Sequence, residues 1–198
     1  MNMIQPNNKT ISERRRAELR GELELDYINQ IIIEQGYNAL SAYQMEVVEE
    51  HVSDSDGAIR ILETEEDEIL EYVKSIKIAF FKKTCEEQIE LGFTSSNGHF
   101  YRTNRDDQVN MIGQKDSLVD DPSITYVDWK TEDVGYIRHT KEQWMQVYNE
   151  AFAHKKEQLF KYEALKQRVM AATNQDEVAL VKWAEANKME VKVQMLAS

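Results

Sequence analysis

The scarcity of helix-breaking residues is the strongest constraint that this sequence places on its fold. Its 198 residues include seven glycines and two prolines, and neither type occurs after Gly135. Because glycine and proline weaken or end helices, long stretches without them favour long, uninterrupted helices. The stretch from residue 140 to about residue 172 would alone form a helix about 50 Å long, at 1.5 Å per residue.

Capping boxes mark the start of three predicted helices. In this pattern a Ser or Thr side chain caps an amide, and a Glu or Gln three residues later bonds back to the cap. It occurs at Thr10–Glu13, Ser41–Gln44 and Thr140–Gln143. We therefore predict helices over about residues 13–35, 41–51 and 140–172. A further helix, from residue 64 to near residue 92, starts with acidic residues that favour a helix N-terminus.

The first predicted helix carries apolar residues at a spacing of four. This stripe consists of Leu19, Leu23, Tyr27 and Ile31, and it is joined by Ile28 and Ile32. Such spacing predicts an amphipathic helix whose second half is apolar on more than one side.

The centre of the chain changes to a β-type pattern. Asn97-Gly98 lies between two β-favouring runs, and this dipeptide is a strong hairpin signal. Residues 126–130 and 135–139 predict a second pair of strands, with a short helix over 106–117 before them. The predicted fold class is α+β and predominantly helical, with N-terminal helices, a small antiparallel β-hairpin centre and one long C-terminal helix that can form a coiled coil.

These elements suggest three regions along the chain. Residues 1–63 form a helical attachment region, residues 64–186 an α+β domain that contains the long helix, and residues 187–198 a terminal strand or tail. A last short helix is predicted from Asn174 through Trp183. Val191 and Val193 alternate with polar residues, which is a strand pattern whose free edge can pair with another chain.

Composition excludes several classes of protein. A net charge of −12 argues against nucleic-acid binding, because neutralising phosphates requires a basic face. No apolar run approaches the roughly 18 residues of a membrane span. The first residues carry no signal-peptide pattern, so we expect no membrane partner and no secretion by a signal peptide. The single cysteine, Cys85, excludes an internal disulfide framework and a thiolate zinc cluster.

The segment before the third helix resembles a calcium-binding loop. Asp54, Asp56 and Glu63 occupy its third, fifth and twelfth positions. However, Val52 stands where the first aspartate is expected, and Arg60 would place a cation beside the metal. A calcium site is therefore the weaker interpretation, and an Asp-Gly turn before a helix is the stronger one.

The candidate catalytic groups are scattered. The four histidines lie in different segments without the spacing of a zinc motif: His51, His99, His139 and His154. No phosphate-binding glycine loop is present. We predict no catalytic residue, no cofactor and no metal, hence no enzyme. Two alternatives stay open: a hydrolase that uses His99 or His139 with nearby acids, and an acidic regulator that binds calcium or mimics DNA.

The long helix carries the clearest candidate interaction surface. Apolar residues follow a 4-3 spacing along it, with a polar interruption at residues 154–158. The candidate contacts are Trp144, Tyr148, Ala151, Tyr162, Leu165 and Val169, together with Val191 and Val193 of the terminal strand. Two interpretations are open for this seam. Either the seam joins copies of the chain into a homo-oligomer such as a trimer, or the helix packs along its own domain at both ends and is solvated midway.

Residues from about 74 to 183 resemble an uncharacterised domain family that recurs in tailed-phage and prophage proteins associated with tail fibres. The ordered matches are Gly92-Phe93, Asn97-Gly98, Phe100-Tyr101, Asp107-Gln108-x-Asn110-x-x-Gly113, Trp129, Thr140-x-x-x-Trp144, Ala151-x-x-His154, Ala171-Ala172-Thr173 and Val178. The family has no established activity, so the resemblance implies no catalytic residues.

The resemblance implies a context for the chain. We expect a structural component of a phage or prophage tail, an adaptor in the fibre or baseplate whose partners are other tail proteins. It would be made in the host cytoplasm and located in the virion tail. The alternative within this context is a tail-fibre assembly chaperone that leaves after assembly.

Overall fold

The chain is described by a computed structural model that covers residues 13–54 and 65–185. Its α-helices are α1 (Glu13–Gln35), α2 (Ala42–Asp54), α3 (Glu65–Leu91), α4 (Arg105–Asp120), α5 (Lys141–Ala171) and α6 (Gln175–Leu180). Two short 3-10 helices cover Tyr37–Ala39 and Trp183–Glu185. The strands are β1 (Phe93–Thr94), β2 (Phe100–Tyr101), β3 (Tyr126–Thr131) and β4 (Gly135–Thr140). The predicted fold class is confirmed: helices dominate, antiparallel hairpins lie between them, and the longest helix follows.

Two of the predicted capping boxes are visible as reciprocal hydrogen bonds. At the start of α2, the Ser41 amide donates to Gln44 Oε1 at 2.9 Å, and the Gln44 amide donates to Ser41 Oγ at 3.3 Å. At the start of α5, Thr140 and Gln143 make the same pair of bonds at 2.9 and 3.3 Å. These bonds satisfy amides that the first helical turn leaves without partners.

The four strands form two separate antiparallel hairpins. In the first, Phe93 pairs with Tyr101 and Thr94 with Phe100. In the second, β3 pairs with β4 along its whole length, from Tyr126 opposite Thr140 to Thr131 opposite Gly135. The Glu132 amide donates to Phe100 O at 3.0 Å and connects the two hairpins.

The chain divides into two compact units. Of the described residues, 13–54, 65–77 and 172–180 belong to the helical unit, and 78–171 and 181–185 belong to the hairpin unit. The predicted division at residues 63 and 186 falls outside the described residues and stays a prediction.

In the helical unit, α1 buries only one of its apolar sides. Ile28 and Ile32 are buried, whereas Leu23 and Tyr27 are exposed. Because both sides are apolar, spacing alone does not decide which of them is buried.

The end of the described chain also differs from the prediction. Asn174 does cap α6, because its Oδ1 accepts the Glu177 amide at 2.9 Å. However, α6 ends at Leu180 rather than at Trp183, which instead starts a 3-10 turn. The predicted terminal strand lies outside the described residues.

Both the strands and the helices of the hairpin unit contribute residues to its core. Its buried members come from β2, β3, α4 and α5: Tyr101, Met111, Leu118, Val127, Trp144, Val147 and Ala151. Burying aromatic and aliphatic surface of this size is the main force that holds two-stranded hairpins in place, since a hairpin alone is at best marginally stable.

Candidate interaction surface

The predicted seam of α5 is largely buried within the protein itself. Four of its residues are buried: Trp144, Ala151, Leu165 and Val169. Tyr148 and Tyr162 are half-buried, and Val191 and Val193 lie outside the described residues. Burial at both ends of the helix fits the second interpretation of this seam, in which α5 packs along its own domain. Association through the seam stays a prediction.

Trp144 is the centre of an aromatic cluster. Its ring centroid lies 4.2 Å from that of Trp129 on β3 and 5.7 Å from that of His139 on β4. Aromatic pairs at such distances add to the apolar burial that each ring provides. Trp144 therefore fastens the second hairpin to α5 and is covered from solvent.

A chain of hydrogen bonds joins the first hairpin to the second. Asn97 Nδ2 donates to the Tyr101 hydroxyl at 2.7 Å, and the oxygen of that hydroxyl lies 2.7 Å from His139 Nε2. Burial lowers the pKa of His139 below its usual value, which favours the neutral ring. His139 thus makes a buried contact that connects the two hairpins.

Asp133 fastens the turn of the second hairpin to the first. Its carboxylate contacts His99 Nδ1 at 2.9 Å and accepts the Phe100 amide at 3.2 Å. The hydrogen bond from His99 is the main reason that the pKa of Asp133 is lowered to about 2.

Glu150 of α5 fastens the turn of the first hairpin. It accepts the Ser95 hydroxyl and, at 3.1 Å, the Ser96 amide. Burial alone would raise the pKa of Glu150, but the bonds from Ser95, Ser96 and Gln146 outweigh it and hold the pKa at about 2.

The hydrolase alternative requires a nucleophile with a base within hydrogen-bond reach. The Ser95 hydroxyl bonds to Glu150, and a carboxylate with a pKa near 2 is a weak base. His99 Nδ1 contacts Asp133. A hydrolase that uses His99 or His139 stays a prediction.

The remaining candidate chemical groups also have structural contacts. His51 stacks edge-on to Tyr72 at 5.6 Å, and His154 Nε2 lies 3.0 Å from Gln88 O. Cys85 is buried, which raises the pKa of its thiol, and its Sγ lies 3.4 Å from Gln158 O.

The metal prediction is only partly covered by the structure. Across residues 13–54 and 65–185, no three His, Cys, Asp or Glu side chains are grouped as a metal site would require. Asp54 ends α2, while Asp56 and Glu63 of the candidate calcium loop lie outside the described residues. The same stretches contain no helix that is long and apolar enough to span a membrane.

An apolar groove lies between α4 and α5 on the hairpin unit. Its volume is about 410 Å³. Three apolar side chains on its walls are strongly exposed: Ile112 at 50%, Phe152 at 64% and Leu159 at 46%. Large apolar side chains that stand together at the surface of a small domain are typical of a protein–protein contact site.

Two lysines stand over this groove. Lys155 Nζ donates to Gln108 Oε1 at 2.5 Å, and Lys156 Nζ lies 5.2 Å from the centre of the Phe160 ring. Neither lysine has an acidic partner in the part of the chain that the structure describes. The groove therefore combines apolar walls with two uncompensated positive charges.

The seam prediction selected a neighbouring stripe of the same helix. The groove uses Tyr148, Phe152, Leu159 and Phe160; Phe152 and Leu159 each follow a position of the 4-3 register by one residue. Phe152, Leu159 and Phe160 flank the polar interruption at residues 154–158, so a search for a second apolar stripe would have found the groove wall.

The family model for a domain of unknown function, DUF4376, matches residues 72–184 of the chain, which is more than half of its length. The chain belongs to the DUF4376 family. The match confirms the predicted resemblance to an uncharacterised domain family and includes the groove, both hairpins and Trp144. No curated protein and no solved structure matches the chain.

Proposed function

We propose that this DUF4376 protein is a structural, non-enzymatic component of a phage or prophage tail. In this role it is an adaptor that links a fibre or baseplate element to its neighbours. The tail context comes from the ordered sequence resemblance across residues 74–183. A role in binding other proteins draws its support from the groove.

The observation that carries the proposal is the exposure of Ile112, Phe152 and Leu159 in one groove. Burying these side chains against a partner would be favourable at about 25 cal/mol per Å² of apolar surface. On the hairpin side, His99, Asp133, His139 and Glu150 are instead engaged in contacts that join the hairpins. An exposed apolar contact surface on a folded domain is what an adaptor requires.

A fibre-assembly chaperone is the second candidate, and the same groove favours it. A chaperone presents apolar surface to an unassembled subunit and releases it later. The two roles differ in whether the protein remains in the particle.

Quantitative mass spectrometry of purified particles tests the proposal. An adaptor is expected at a fixed copy number relative to the other tail proteins. The groove variant Phe152→Ala/Leu159→Ala should lower that copy number, whereas the matched surface variant Met170→Ala on the same helix should not.

A protein that is abundant in the infected cell but absent from the particles would support the chaperone role. Its absence from the particles, together with normal fibre assembly when the gene is deleted, would contradict both roles. Isothermal titration with Ca²⁺ separately tests the acidic regulator, for which heat at millimolar metal or below is required.

A further inference from the structure

A polar cleft lies between α4 and the second hairpin. Its volume is about 470 Å³, and it shares no lining residue with the α4–α5 groove. Asn110, Gln114 and Ser117 line it from α4, and Trp129 and Tyr136 line it from the hairpin. Small ligands bind in concave sites where a few polar groups come together. The cleft is thus distinct from the surface assigned above to a protein partner.

Two amides on the α4 wall of the cleft are available to a ligand. Asn110 and Gln114 are four residues apart, so they stand one turn from each other on the same helix face. Neither side chain makes a hydrogen bond to another of the described residues. Asparagine is a poor helix former, so Asn110 does not favour α4 either. Each amide therefore presents two unused donors and an unused acceptor.

Gly113 leaves the α4 backbone uncovered between two residues of the cleft. It lies three residues after Asn110 and four before Ser117, which are neighbouring positions on a helix surface. Its φ is not positive, and a Cβ there would meet nothing within 4 Å. Neither backbone conformation nor packing therefore requires this glycine, although glycine weakens a helix relative to alanine. A ligand that approaches the backbone at this point would require it.

Aromatic side chains line the hairpin side of the cleft. Tyr136 of β4 is 76% exposed. Trp129 of β3 is half-buried, with its ring packed against that of Trp144. A tyrosine ring offers a rigid apolar face with a polar hydroxyl at one end. Such a face matches a ring-shaped ligand that is apolar on its faces and polar around its rim.

The charged side chains of the cleft are all paired with an opposite charge. The pairs are Arg102–Asp107 at 2.9 Å, Lys130–Glu132 at 3.4 Å and Asp128–Arg138 at 2.8 Å. Because three acids face three bases, the cleft offers no net attraction to an anion or to a cation. The expected ligand is therefore neutral.

We propose that this cleft binds a neutral saccharide. A sugar ring carries C–H groups on its faces and hydroxyls around its rim. One face stacks on Tyr136, and the hydroxyls, which both donate and accept hydrogen bonds, bind the amides of Asn110 and Gln114. The missing side chain at Gly113 lets the ring approach α4. The inference goes beyond the proposed tail role and does not depend on it.

A panel of methyl glycosides tests the inference on the full chain. The neutral probes are the methyl glycosides of glucose, galactose, mannose and N-acetylglucosamine, and methyl glucuronide is the anionic probe. Binding is measured by NMR saturation transfer from the protein to each probe, titrated to saturation. At least one neutral probe should bind with a millimolar or lower dissociation constant, and methyl glucuronide should bind no more tightly.

Two cleft variants should weaken this binding. Tyr136→Ala removes the stacking face, and Asn110→Ala/Gln114→Ala removes both amides while keeping good helix formers in α4. Each should raise the dissociation constant by about 10-fold or more, which is typical of an important contact residue. Both variants are expected to keep the wild-type circular dichroism spectrum.

Gly113→Gln separates binding from stability. Glutamine favours a helix far more than glycine does and has open space here, so the melting temperature should rise. The new side chain covers the backbone between Asn110 and Ser117, so binding should be lost. The control variants Tyr43→Ala and Gln167→Ala remove an exposed tyrosine and an exposed amide outside the cleft and should bind like the wild type.

The absence of binding for every neutral probe would overturn the inference. Tighter binding of methyl glucuronide than of the neutral probes would do the same, and so would cleft variants that bind like the wild type. The copy number of the protein in particles has no bearing on these outcomes, so the inference and the tail role can fail separately.

Discussion

The two sides of the hairpin unit use their side chains in opposite ways. On the hairpin side, polar groups are joined to one another: Asn97 to Tyr101, Tyr101 to His139, His99 to Asp133 and Ser95 to Glu150. On the groove side, apolar side chains are exposed, and Lys155 and Lys156 have no acidic partner among the residues that the structure describes. One helix, α5, contributes to both.

This contrast separates what maintains the fold from what is available to a partner. Short hairpins cannot be stable alone, so the polar groups around them are needed to hold their turns. The exposed side chains of the groove are not needed to hold the hairpins. Substitutions on the hairpin side should therefore change stability, and substitutions in the groove should change association.

The largest effect is expected from Trp144→Ala. Trp144 is completely buried and packs against Trp129 and His139. Its removal leaves a large cavity, so we expect a loss of about 3–5 kcal/mol in the free energy of unfolding. Urea denaturation followed by circular dichroism measures this loss. A loss below 1 kcal/mol would mean that the aromatic cluster does not hold the hairpins.

Two glycine-to-alanine substitutions should change the free energy of unfolding in opposite directions. Gly92 has a φ of +108°, and a Cβ there would meet the Tyr101 carbonyl oxygen at 2.1 Å. Gly92→Ala should destabilise the protein by about 1–3 kcal/mol or more. Gly113 is inside α4 with open space around it, so Gly113→Ala should stabilise by about 0.5–1 kcal/mol. Thermal unfolding of both variants compares them directly, and a change of stability in the same direction for both would contradict the structure.

The hairpin side should also be sensitive to acid. Glu150 has its pKa lowered to about 2 from a usual 4.5, so its contribution is complete above pH 4.5 and is lost as the pH falls towards 2. Glu150→Gln should make the unfolding free energy less dependent on pH over this range. Denaturant titrations at pH 5.5, 4 and 3 test it, and equal slopes in both proteins would exclude this role for Glu150.

The smallest effect on stability is expected in the groove. Phe152 and Leu159 are exposed, so Phe152→Ala/Leu159→Ala should change the free energy of unfolding of the monomer by less than about 0.5 kcal/mol per residue. Denaturation at a concentration where the wild type is monomeric is the appropriate measurement. A loss comparable to that of Trp144→Ala would show that the groove is part of the core.

Much of the fold could be predicted because its signals are local. The capping boxes of α2 and α5, the Asn97-Gly98 turn and the scarcity of glycine and proline each act within a few residues. The bounds of α1, α3 and α5 accordingly agree with their predictions within one or two residues. Terminal turns are harder, and α6 ends three residues before the predicted Trp183.

The choice of helix face could not be predicted from spacing. On α1, Ile28 and Ile32 compete with Leu23 and Tyr27 for the same core, and only tertiary contacts decide between them. On α5, the 4-3 register selected Trp144 and Ala151 correctly as apolar positions but could not tell burial within the chain from burial against a partner. The pairing of Tyr101 with His139 joins residues 38 positions apart, which no local pattern reveals.

Hydrogen exchange of the full-length protein at low and high concentration tests most directly whether α5 holds the hairpins with one face and binds a partner with the other. We predict that association slows exchange in residues 105–116 and 148–160 and leaves the hairpin residues 126–140 unchanged. Slower exchange confined to residues 126–140, or an exchange pattern that does not change with concentration, would contradict this account.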